Sequence, residues 1–220
     1  EGSRGDLLGY ESEGDFVDSY PFVSYQFKVL PDVMTEIRKH GVKAKHMSTG
    51  ERSMLSALQE SAQVVQGEQT TALVPFWRFF DTISKDLEHG ILQVDDRATR
   101  AAEAHQVLRP EDISVLKLLY LIRYITYLKG TLNNIATLMV DDMGVDKVAL
   151  RERLKASLDR LVRENYVARQ GDAYNFLTDE EQDIAREISQ VPIDVAEVTE
   201  NIKKVLFEGI FSQRKLSRGA

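Results

Sequence analysis

The sequence contains no cysteine. That excludes a disulfide framework, a thiolate metal site and a cysteine nucleophile, and it is compatible with a cytoplasmic location. No apolar run approaches the roughly 20 residues that span a bilayer, so no membrane association is expected. The first residues, Glu1-Gly2-Ser3-Arg4-Gly5-Asp6, carry no apolar stretch of the kind a signal peptide needs. The phosphate-cradling pattern G-x-x-x-x-G-K-[ST] is absent, as is an acidic pair at the end of an apolar strand. The four histidines, His40, His46, His89 and His105, show no H-x-x-x-H or H-E-x-x-H spacing, so no metal site is expected. No G-x-S-x-G occurs and no carboxylate pair stands out, so no catalytic residue is expected. Only five prolines punctuate the chain, and each marks a helix start or a break.

What is present is an average soluble composition, 43 % hydrophobic and 29 % charged, with a net charge of -7. That much apolar content excludes a mainly disordered chain. The overall acidity argues against indiscriminate nucleic-acid binding. The charge is unevenly spread, however. Residues 1–108 carry 11 cations against 17 carboxylates, residues 109–178 carry 11 against 9, and residues 179–220 carry 6 against 9. The middle third is the only basic part.

Residues 1–19 are rich in Gly, Ser and acids and read as a linker or disordered end. Residues 20–108 read as a helical bundle. Its first helix carries Phe27, Leu30, Val33, Met34 and Ile37, with Pro31 as a kink or break and Gly41 as the stop. A second begins near Ser48-Thr49-Gly50-Glu51, a third runs from Pro75 to Leu87 with Phe76, Trp77, Phe79 and Phe80, and a fourth runs from Asp96 to Leu108. Arg109-Pro110-Glu111-Asp112 opens a new region, with proline at the first helical position and acids in the first turn.

Residues 109–190 read as a strongly apolar helix to Leu128, a short helix from Leu132 to Val140 and a long helix from Asp146 to Asn165. Two alternating segments around Gln170-Gly171-Asp172 follow, then another helix. Helix, short helix, long helix and hairpin is the order of a winged helix-turn-helix. In such a domain the third helix enters the major groove. With Leu150, Leu154, Leu158 and Leu161 inward, Lys147, Arg151 and Lys155 form one i, i+4, i+8 line. Arg153 and Arg160 flank it, and Arg169 sits on the wing. These six are the candidate contacts to double-stranded DNA or a partner protein, because phosphate and guanine recognition needs exposed cations. Glu152, Asp159 and Glu164 lie among them and offer the alternative of a solvated, internally paired face. Residues 191–220 read as a C-terminal helix and a basic tail, Arg214-Lys215-Leu216-Ser217-Arg218.

Gly50-Glu51-Arg52 at a helix start resembles the sensor-2 element of AAA+ ATPase lids, where a fixed guanidinium faces the nucleotide γ-phosphate. An ordinary capped first turn is the plainer alternative. Tyr20-Pro21-Phe22-Val23-Ser24-Tyr25-Gln26-Phe27, Ser48-Thr49-Gly50-Glu51-Arg52-Ser53-Met54-Leu55 and Leu73-Val74-Pro75-Phe76-Trp77-Arg78-Phe79-Phe80 together resemble the region after the ATPase core in the P-loop ATPases of BREX phage-defence systems, the BrxC/PglY family. The likeness covers roughly residues 20–200. It implies an internal fragment of a large AAA+-like ATPase: mainly α, with a lid-like bundle followed by a winged helix and its small β-hairpin. It further implies ATP and Mg in the full-length parent, none in this chain, and the other BREX proteins, including a DNA methyltransferase, as partners. Self-association would run through the parent. Lid helices followed by a winged helix also resemble AAA+ origin initiators.

The alternative expectation is a winged-helix transcriptional regulator in which Phe76, Trp77, Phe79 and Phe80 line an effector pocket of an N-terminal effector or dimerisation region. A pure scaffold, with the basic helix face on an acidic partner, is a third.

Overall fold

The computed structural model describes residues 10–40, 51–84, 87, 89–104, 107–190 and 195–206, with the backbone alone at 51–52, 189–190 and 195–197. The expected caps at Ser48 and Thr49 and the basic tail lie outside the described residues. The protein is mainly helical with one small antiparallel sheet. The order is α1 (Glu13–Ser19), α2 (Ser24–His40), α3 (Glu51–Val64), a 3-10 turn (Phe76–Arg78), α4 (Phe79–Ile83), α5 (His89–Glu103), α6 (Pro110–Ile122), α7 (Leu132–Leu138), α8 (Lys147–Arg163), β1 (Val167–Gln170), β2 (Ala173–Phe176), α9 (Asp179–Gln190) and α10 (Val195–Lys204).

The linker expected over residues 1–19 gives way to helix at α1. Ser12 caps it by accepting from the Asp15 backbone N–H, and the Asp15 carboxylate accepts from the Glu11 N–H and the Ser19 and Ser24 hydroxyls. Three polar side chains thus tie α1 to the start of α2. In α2, Pro31 interrupts nothing: the helix runs through it. An interior proline costs about 3 kcal/mol. Val29, Leu30, Val33, Met34 and Ile37 are all buried on one face, and at about 1.5–3 kcal/mol per buried side chain that stripe outweighs the cost. Gln26 is buried too, and its amide donates to the Val74 carbonyl at 2.7 Å, so it adds no unpaired group.

The aromatic segment folds as a 3-10 turn followed by one short helix, instead of a single helix from Pro75 to Leu87. The tighter turn points Phe76, Phe79, Phe80 and Ile83 inward together. Phe76 meets Phe79 edge-on at 5.2 Å, and Phe79 stacks with Phe22 at 6.1 Å. Phe76, Phe79, Phe80 and Ile83 are core side chains. Of the four aromatics expected to line a pocket, Trp77 is partly buried and lines a surface cleft, while Phe76, Phe79 and Phe80 are buried. Helix α5 starts at His89, earlier than expected, because Ile91, Val94, Ala98 and Ala102 form one buried stripe.

Helix α6 is the centre of the core formed by residues 10–183. It is buried nearly all round, with α5 and α8 packed against it. The expected boundary at residues 108/109 therefore lies between helices that share one core. Helix α8 ends where Asn165 takes φ 61°. The Asn165 and Tyr166 N–H groups return to the Val162 and Leu161 carbonyls, so the last turn is closed before β1 begins. Strands β1 and β2 pair antiparallel, Val167 opposite Phe176 and Gln170 opposite Ala173. Gly171 makes the turn at φ 65°. An antiparallel bridge from Thr131 to Ala173 adds the chain before α7 to the free side of β2.

The chain divides into two units, Glu1–Asp183 and Ile184–Ala220. Within the first, Thr178 and Glu181 cap α9 reciprocally. Arg123 makes two hydrogen bonds to the Glu181 carboxylate at 2.8 and 2.9 Å, and one to the Phe176 carbonyl. The Arg123 hydrogen bonds hold the Glu181 carboxyl below its ordinary pKa of 4.5, against a smaller opposing effect of burial. A carboxyl depressed in the folded state contributes stability that is present above its unfolded pKa and lost as pH falls through the folded one. The melting temperature of the wild type should exceed that of Glu181→Gln by a constant amount at neutral pH. That gap should close below pH 4.5, as a series of melts across acid pH would read. The second unit, over its described residues, consists of the end of α9 and α10.

Candidate functional site

Helix α8 is placed by its own sequence. Asp146 caps it by accepting from the Val148 and Ala149 N–H groups at 2.9 and 3.1 Å. Leu150, Leu154, Leu158 and Leu161 are buried. The opposite face carries the cations. Arg151 and Lys155, one turn apart, line a groove of about 470 Å³, with Arg169 of β1 on the far wall. The Arg169 side chain is held there. Its Nε donates to the Gly171 carbonyl at 3.1 Å, and its guanidinium lies 5.6 Å from the centre of the Tyr174 ring. The start of α7 supplies Thr131 and Asn133, and Tyr174 supplies an aromatic wall. Glu152 and Asp172 are in the same groove, so three cations face two carboxylates.

The six expected α8 and wing cations separate into four groups. Arg151, Lys155 and Arg169 share the groove. Lys147 is exposed on the first turn but does not line it. Arg153 points away, with Nε 3.5 Å from Glu111. Arg160 is not a free surface cation. Its guanidinium makes two hydrogen bonds, at 2.8 and 2.6 Å, to the fully buried carboxylate of Asp112 on α6. Those bonds, more than offsetting its partial burial, push the guanidinium pKa up, so it stays charged as a structural partner. Arg52 is the second residue of α3, in its first turn, and its side chain is outside the described residues.

Asp112 is legible in the sequence only as a first-turn acid of α6. A signal was available in Ser157. It sits among Leu154, Leu158 and Leu161 on the core face, and a buried hydroxyl there requires a partner. That partner is Asp112, at 2.6 Å. Thr131 and Asn133 at the start of α7 and Tyr174 on β2 come from separate segments, and no spacing connects them with the cations of α8.

Among the described residues no cluster of three or more His, Asp or Glu could hold a metal ion, and no helix is long and apolar enough to cross a membrane. No protein-family model matches the chain, and no solved structure matches it at a significant level.

Proposed function

We propose that this chain is a non-catalytic module of an AAA+-like ATPase of BREX phage defence, with a lid-like bundle followed by a winged helix that docks on double-stranded DNA. The observation that carries the DNA contact is the groove in which Arg151 and Lys155 of one helix meet Arg169 of the hairpin beside the start of α7. A helix face, a wing and a second helix start around one channel suit a phosphate backbone, which offers charge at regular intervals and no shape finer than the groove itself. The order of α6, α7, α8 and the hairpin, with the Thr131–Ala173 bridge joining the chain before α7 to β2, supports the winged-helix reading. The likeness of the Tyr20–Phe27, Ser48–Leu55 and Leu73–Phe80 segments to the BrxC/PglY family supports the parent, and with it the methyltransferase and other BREX partners, ATP and Mg at a site outside this chain, and a cytoplasmic setting. The place of Arg52 in the first turn of α3 is the one a nucleotide sensor would need.

The test is fluorescence anisotropy of a labelled duplex against the chain over a range of salt concentrations. Each phosphate contacted contributes about -0.9 to the slope of log affinity on log salt, so three cations give a slope of about -3. Arg151→Glu/Lys155→Glu should reduce affinity at least tenfold and flatten that slope by about 2. No binding at about 50 mM salt would overturn the DNA contact.

A further inference from the structure

The first turns of α8 stand out from the core. Between Lys147 and Ala156 only Leu150 and Leu154 are buried, and every other residue is exposed. From Ser157 onward the core takes hold of the helix, through Ser157, Leu158 and Leu161. A helix exposed on all sides but one can enter a major groove about 12 Å wide, and its N-terminal turns reach the base edges.

Four of the exposed residues, Val148, Arg151, Glu152 and Lys155, follow one another at i, i+3, i+4 and i+7, so they share one face. That face lines the groove. Arg153 is tied to Glu111, Arg160 to Asp112 and Arg169 to the Gly171 carbonyl. Arg151, Glu152 and Lys155 make no such bond with any described residue. Phosphate contact accounts for two of the four. Arg151 and Lys155 are like charges one turn apart, a pair that repels until an anion joins them. It does not account for Val148 and Glu152. Val148 is 74 % exposed, an aliphatic side chain with nothing to bury against. A carboxylate facing phosphates lowers affinity. Base edges call for both: the thymine C5 methyl takes an aliphatic contact, the cytosine N4 amino group donates to a carboxylate, and guanine O6 and N7 accept from an arginine.

We infer that α8 reads sequence in the major groove, with Val148 and Glu152 as its specificity-determining residues, which rests on the double-stranded DNA contact proposed above. Val148 meets a thymine methyl, Arg151 a guanine and Glu152 a cytosine, while Lys155 and Arg169 hold phosphates. From Val148 to Lys155 the helix advances about 10 Å, close to three base-pair steps of about 3.4 Å. The element read is therefore about four base pairs long and contains thymine, guanine and cytosine.

The test begins with the full chain selecting from a pool of duplexes randomised over a central segment, at about 50 mM salt. One short element with that composition should be enriched. In fluorescence anisotropy it should bind at least about tenfold tighter than its scrambled counterpart. Glu152→Ala should lose about tenfold on the selected duplex and gain on the scrambled one, since it removes a repulsive carboxylate. Replacing the thymines by uracil, which lacks the methyl group, should weaken the wild type about fourfold and leave Val148→Ser unaffected. Both substitutions sit at exposed positions, so the melts and the salt slope should stay as in the wild type. Duplex binding without enrichment, or a preference that both variants keep, would overturn the sequence readout and leave the phosphate contact standing. No binding to any duplex would overturn both.

Discussion

Asp112→Ala is expected to lower stability by about 3–5 kcal/mol, the usual loss when one partner of a buried ion pair is removed. The carboxylate is fully buried and accepts four hydrogen bonds: from the Arg109 N–H at 2.9 Å, the Ser157 hydroxyl at 2.6 Å, and Nε and Nη2 of Arg160 at 2.8 and 2.6 Å. Alanine would uncap α6, strand the hydroxyl of a fully buried serine and leave a largely buried guanidinium without its counter-charge. For a chain of this length each kcal/mol moves the melting temperature by about 2–4 °C, so a fall on the order of 10 °C should be seen by circular dichroism. Arg160→Ala should also be destabilising, through the same carboxylate left unpaired, but should leave the groove cations in place and the salt dependence of DNA binding unaltered. An Arg160→Ala protein with an unchanged melt and weakened DNA binding would place Arg160 on the ligand and not on Asp112.

That pair also shows where the sequence is legible and where it is not. The stripes of α2, α6 and α8 and the turn at Gly171 are local signals: a period of 3.6 or a glycine between alternating segments is written within a dozen residues. The inward face of α8 follows from its leucines alone. Arg160 is nine residues from Arg151, half a turn round the helix, and three from Ser157. Its place away from Arg151 and Lys155 was therefore open to reading. The carboxylate that claims it was not, because Asp112 comes from a helix some fifty residues earlier and only packing brings it there. The same holds for Arg169. Its type and its wing position are local, but its partnership with Arg151 and Lys155 depends on how the hairpin folds back over α8. Helix α5 starts at His89, seven residues before the expected Asp96, with Gly90 in its first turn.

Gly130→Ala is expected to be the most damaging glycine substitution among the described residues. A Cβ at Gly130 would lie 2.3 Å from the carbonyl oxygen of Tyr174 and 3.1 Å from Leu119 Cδ2. The first of these is backbone, which cannot rotate away. Gly130 is also the acceptor for the Tyr174 N–H at 2.9 Å, next to the Thr131–Ala173 bridge. The methyl group would thus push apart the contact that sets β2 against the start of α7. Overpacking of this kind costs on the order of 1–3 kcal/mol. Gly171→Ala is the matched control. It carries the left-handed φ of 65° but meets no atom within 4 Å, so its cost is conformational, about 1–2 kcal/mol, and confined to the turn. The two should differ in function more than in stability. Gly130→Ala displaces Tyr174 and Thr131, both in the groove wall, and through Tyr174 the ring beneath Arg169. It should therefore weaken duplex binding in the anisotropy experiment, while Gly171→Ala at a comparable melting temperature should bind nearly as the wild type does. Equal loss of binding in both would mean that the hairpin acts through overall stability, and that Arg169 contributes nothing by its position over Tyr174.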